Sequence, residues 1–142
     1  MRGHVAVKLA SCILCVACLA SAGSTVRRMD RRGSPVDLGH PQILGALSHL
    51  TLRRFMPVLR ARLEGCYERH LGSGVGIVGG LLLVRFDVVS FNRVDRVRVM
   101  RSSVRDPALR RCVVRSFYRW RVPSNCKGGP DRILLPVVFR PR

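Results

Sequence analysis

The sequence predicts a small α+β domain in which helix, strand, strand, helix and strand follow one another and the strands form an antiparallel sheet. Three observations predict it. Apolar residues recur at helical spacing over 55–71 and again from Leu109 to Trp120. Residues 81–89, 94–101 and 132–140 carry the alternation of strands with one buried face. Two cysteines, Cys66 and Cys112, lie on the apolar stripes of the two helices.

At 142 residues and 47% hydrophobic content the chain can bury one core of ordinary size. Residues 1–22 read as an export signal: Arg2 and Lys8 lead into an apolar run from Leu9 to Leu19, and the small residues Ala20 and Ala22 mark the cleavage site. A retained anchor is the competing reading, but the run is shorter than the ~20 apolar residues a spanning helix needs. Lipidation is a minor reading. Leu9-Ala10-Ser11-Cys12 leaves almost no hydrophobic region before the cysteine, and Cys18 has no branched aliphatic residue three positions upstream. Export places the protein in the periplasm, at the outer membrane or outside the cell. Taking Arg2 and Lys8 from the 26 basic residues leaves 24 against 8 acidic ones, about +16. Only Lys8 and Lys127 are lysines. Codon bias explains arginine over lysine but not the excess of bases, which favours contact with anionic polymers, head groups or nucleic acid.

Residues 23–41 are polar, broken by Gly33, Pro35 and Gly39 and rich in arginine pairs, and read as a flexible basic lead-in to a domain over 42–142. Ile43, Leu44, Leu47 and Leu50 have helical spacing and predict a short helix over 41–52. In the main first helix, Phe55, Leu59, Leu63, Cys66, Tyr67 and His70 share one face, and Pro57 fits only in the first turn, so that helix starts near Met56. Gly72, Gly74 and Gly76 end it. This glycine cluster follows a helix, whereas a phosphate-cradling fingerprint follows a strand, so no nucleotide cofactor is expected.

Gly79 and Gly80 precede a strand whose Leu82, Val84, Phe86 and Val88 form an apolar face, with Arg85 and Asp87 opposite. Asn92 suits a left-handed turn position, so 90–93 forms a hairpin. The return strand puts Val97 and Val99 inward and Arg96 and Arg98 outward. Asp106 and Pro107 start the second helix as capping acceptor and preset first residue. Its inner stripe is Leu109, Cys112, Val113, Ser116, Phe117 and Trp120, its outer face Arg110, Arg111, Arg115 and Arg119, and Pro123 stops it. Pro136 within the last strand removes a backbone donor, which predicts an edge or a bulge.

The segments "CYERHL", "SSVRDPALRRCV" and "RWRVP" carry a resemblance. A Cys-Tyr pair ends the first helix (Cys66-Tyr67), a glycine opens a V-x-V-x-F-like strand (Gly80 to Phe86), and a double serine (Ser102-Ser103) precedes the second helix. Cys112 and Trp120 to Pro123 then match C…W-x-x-P, and the last strand has an internal proline, Leu135-Pro136-Val137-Val138-Phe139. The stretch resembles the TonB C-terminal domain family, in the version at the end of the myxobacterial gliding-motility proteins AgmX/PglI. It departs from the pattern at Asn92, where a turn glycine is usual, at "RVP" in place of W-x-F-P, and in the extra Cys126. An uncleaved anchor and a long proline-rich linker, which an energy transducer needs, are not read in the sequence, so the resemblance implies the fold more firmly than the transducing role.

Given that fold, Cys66 and Cys112 face inward on adjacent elements and are expected to pair, leaving Cys126 over; export favours oxidation. Tyr67, Phe86, Trp120 and Pro123 are expected in the core. Zinc on Cys66, His70, Cys112 and Cys126 is the lesser alternative, because no CxxC half-site is present. His70 is better read as a helix-end residue near the last carbonyls. No catalytic residues are assigned: the mature region holds only His40, His49 and His70, the acids show no paired motif, and Cys66 lies on an apolar stripe.

Two functional classes follow. The first is a non-enzymatic envelope module that binds a protein partner by strand addition, as the resemblance implies, at the last strand through Ile133, Leu134, Leu135, Val137, Val138 and Phe139. The second is a secreted cationic protein that binds anionic polymers through arginine. Nucleic acid is its weaker form, since Phe117 and Trp120 share the inner stripe rather than a stacking surface. No small-molecule substrate is indicated.

Overall fold

The computed structural model describes residues 33–71, 79–124 and 129–141. The expected signal, its Ala20 and Ala22, the first part of the lead-in, the glycine loop after the first helix and Cys126 lie outside the described residues. The elements are β1 (Val36–Leu38), β2 (Gln42–Leu44), α1 (His49–Leu71), β3 (Gly80–Val89), β4 (Arg93–Ser102), α2 (Pro107–Tyr118) and β5 (Asp131–Phe139). The strands form one antiparallel sheet in the order β1-β5-β3-β4, with β2 also pairing β5 on the β1 side. The architecture is α+β, as the sequence predicts.

Alternation decides which sheet face is buried. Leu82, Val84, Phe86 and Val88 of β3 and Ile133, Leu135, Val137 and Phe139 of β5 are all inaccessible, and they pack with Leu59, Leu63 and Tyr67 of α1 and Leu109, Val113 and Phe117 of α2. Phe86, Phe117 and Trp120 form an aromatic cluster with ring centroids 5.2 to 6.3 Å apart. The indole N–H of Trp120 donates to the Phe55 carbonyl at 3.2 Å, which joins the end of α2 to α1. Tyr67 stacks on Phe139 and its hydroxyl donates to the Arg140 carbonyl, joining the end of α1 to β5.

Several sequence expectations are corrected here. The compact unit begins at Gly33 rather than residue 42, because Val36 and Leu38 bury their side chains as β1 and pair with Phe139 and Val137. A three-residue strand is too short for its alternation to stand out within a polar segment. Of the predicted helix over 41–52 only 49–52 are helical, as the start of α1, while the part before them is β2 and a loop, and Leu44 and Leu50, counted toward its stripe, are 70% and 77% exposed. Gly45 blocks a continuous helix: its φ of 149° lies in glycine's range, and a Cβ there would clash with the Asp131 carboxylate. Helix α1 starts at His49 and runs through Pro57, so that proline is interior. Helix α2 ends at Tyr118, well before Pro123, and Trp120 lies just beyond it, its N–H donating to the Phe117 carbonyl.

Pro123 is exposed, not in the core. The chain after α2 is extended and paired to the hairpin, so alternation buries Trp120 and Val122 and turns Arg121 and Pro123 outward. Strand β5 is interior, with β3 on one side and β1 and β2 on the other. Pro136 is accommodated because its nitrogen faces the break between those two short strands. There its carbonyl accepts from the Gly39 N–H at 2.9 Å, and the return bond is the one proline cannot make. A proline therefore marks a gap in the ladder here, not the sheet edge.

Candidate functional site

Ile133, Leu135, Val137 and Phe139 belong to the core, and Leu134 and Val138 sit in the ladder opposite Gln42 and Asp37. None of the six residues expected to pair with a partner offers a free backbone edge. Cys66 and Cys112 lie at disulfide distance, their Cα atoms 5.8 Å apart, and link α1 to α2. The Arg69 guanidinium donates toward both sulfurs, and the Ser116 hydroxyl lies 3.3 Å from that of Cys66. The His70 ring nitrogen lies 2.7 Å from the Cys66 carbonyl, the position expected of a helix-end residue. Paired sulfurs cannot act as thiolate ligands. Among the described residues no helix is long and apolar enough to cross a membrane.

The sheet has two edges among the described residues, the three-residue β1 and β2 on one side and the ten-residue β4 on the other, so the long one belongs to β4. This ten-residue strand pairs with β3 on one side, while on the other only Arg93 meets another described segment, as an isolated bridge to Arg121. Two devices build this strand. At its start, Phe91 and Asn92 take positive φ, the handedness of tight hairpin turns. The Asn92 carbonyl accepts the Val122 N–H and its side-chain oxygen accepts the Ser124 N–H, so an amide stands where a turn glycine would do less. At its end, Ser103 exchanges bonds with both backbone groups of Leu81, while a Cβ on Gly80 would crowd Ser103 and Val104. The double serine and the glycine are one joint.

Beside the open edge, between β4 and α2, lies a groove of about 620 Å³ lined by Val99, Pro107, Val114 and Tyr118 and rimmed by Arg110, Arg111 and Arg115. These arginines are on the face of α2 that the sequence assigns to solvent. Val99 and Val114 are partly buried against the core and form an apolar floor. On the opposite sheet face, Arg98 stands directly across from Arg85, and Arg101 from Leu83. Two register shifts interrupt the β3–β4 ladder, and Arg96 has a φ of 50° near one of them.

Four carboxylates are committed elsewhere, while Asp95 lies on β4 and accepts the N–H of Arg96. Asp106 caps α2 by accepting the Ala108 N–H at 2.7 Å. Asp131, 2% exposed, accepts the N–H groups of Ala46 and Leu47 and the Ser124 hydroxyl. Asp37 pairs with Arg140, and the buried Asp87 pairs with Arg132 and Arg96. The hydrogen bond from Arg132 to Asp87, and the charge of that carboxylate, raise the guanidinium's pKa above its ordinary value. Among the described residues Arg85, Arg98, Arg101, Arg110, Arg111 and Arg115 make no ion pair. Sequence reading identified the arginines of α2 but not the edge beside them, because a missing neighbour leaves no trace in a strand's own pattern. No protein-family model, curated protein or solved structure matches this chain.

Proposed function

We propose that this chain is a non-enzymatic, exported cell-envelope module that binds a protein partner by taking an extended segment of it as an added strand at β4. The observation that carries the reading is the ten-residue β4, whose second edge meets other described backbone only at Arg93. Backbone donors and acceptors in a row are complementary to another extended backbone. The order of Cys66-Tyr67, Gly80, Ser102-Ser103, Cys112 and Trp120 supports a TonB-like assignment, in the AgmX/PglI version, and the basic, apolar run at 1–22 supports export to the periplasm or outer membrane.

Hydrogen exchange tests the reading directly. Peptides selected for binding from a random extended library should slow exchange of the β4 amides while leaving those of β1 and β2 unchanged. Binders that protect other elements and leave β4 exchanging would refute it. The arginine excess favours a second reading, a cationic protein binding anionic polymers. That binding would fall steeply with salt and leave the β4 amides unprotected.

A further inference from the structure

The surroundings of β4 specify the chemistry of the segment it takes, an inference that rests on β4 being the place of strand addition. We infer that the partner segment is an acidic extended peptide in which carboxylates alternate with aliphatic side chains. In an added strand successive side chains point to opposite faces. On the helix side they meet the floor of Val99 and Val114, which suits aliphatic groups. On the other side they meet Arg98 and Arg101, and Arg98 faces Arg85 across the ladder. Like charges directly opposite destabilise a sheet, and a carboxylate beside them relieves that repulsion. Arg110, Arg111 and Arg115 add a field of the same sign along the groove.

The same features disfavour a second copy as the occupant. Pairing two β4 edges would bring two arginine-rich segments together, with Arg96, Arg98 and Arg101 from each, and the ladder shifts interrupt the regular edge that a symmetric match needs. Phosphate or sugar polymers can neutralise the arginines, but they leave the backbone of β4 and the apolar floor unmatched.

The probes are three ten-residue peptides that alternate valine with glutamate, serine or lysine, titrated against the whole domain by isothermal calorimetry and hydrogen exchange. The glutamate peptide should bind about tenfold more tightly than the serine one and protect β4, and the lysine peptide should not bind. In an Arg98→Gln/Arg101→Gln variant most of the glutamate advantage should be lost while the serine peptide binds as before. Both arginines are exposed, so near-ultraviolet circular dichroism should report an unchanged fold. Equal protection of β4 by all three peptides would overturn the charge preference and leave strand addition standing. Glutamate binding without β4 protection, or no binding by any peptide, would overturn both.

Discussion

Asp131→Ala is expected to destabilise the domain by about 3 to 5 kcal/mol, a large part of the ~5–15 kcal/mol available to a domain. The magnitude comes from three bonds to one buried carboxylate. One oxygen accepts the N–H of Ala46 at 2.6 Å and of Leu47 at 3.0 Å, and the other accepts the Ser124 hydroxyl at 2.8 Å. Bonds to a charged acceptor contribute about 1.5–3 kcal/mol each, and Leu47 is buried, so its amide finds no water when the acceptor is removed. Ala46 is exposed and recovers part of its loss from solvent. Asp131→Asn keeps an acceptor for the two amides and should cost about half as much. Urea unfolding followed by circular dichroism measures both variants, with an unchanged m-value showing that the transition remains comparable. Hydrogen exchange should show the Leu47 amide opening first in the alanine variant. An alanine variant within about 1 kcal/mol of the parent would refute the view that this carboxylate holds the β2–α1 loop to β5.

Reduction of the Cys66–Cys112 link, or its replacement by serines, should lower stability by about 4 kcal/mol for a sequence separation of 46 residues, measured by the same unfolding curves. Trp120→Ala should cost ~3–5 kcal/mol, and the parent should emit at the wavelength of a buried indole; emission of a hydrated indole would contradict the packing with Phe86 and Phe117. Val138→Pro should destabilise the whole domain by about 3 kcal/mol or more, because β5 is paired on both sides, with Val138 opposite Asp37 of β1. A stable, well-folded Val138→Pro variant would restore the edge assignment.

Periodicity and capping were enough to read the main elements. Leu59, Leu63, Cys66 and Tyr67 at helical spacing, Leu82 to Val88 at a period of two, and Asp106 with Pro107 each express a local rule, and the structure follows it at each place. The sequence by itself thus determined two helices, three of the strands and the buried faces of the core, while the pairing of Cys66 with Cys112 was expected from the fold that the resemblance implies. Where two distant segments must meet, local rules stop. Val36-Asp37-Leu38 and Gln42-Ile43-Leu44 become strands only because β5 presents a ladder for them, and at Gly45 a positive φ adds to the demand of Asp131, 86 residues later, which occupies the space a side chain would need. Pro136 reads as an edge marker in isolation, yet the gap between β1 and β2 lets it sit in the middle of the sheet. Which strand offers the long open edge is a property of the whole arrangement: β1 and β2 cover β5 and form one short-stranded edge, the ten-residue β4 forms the other, and only the tertiary structure could decide that.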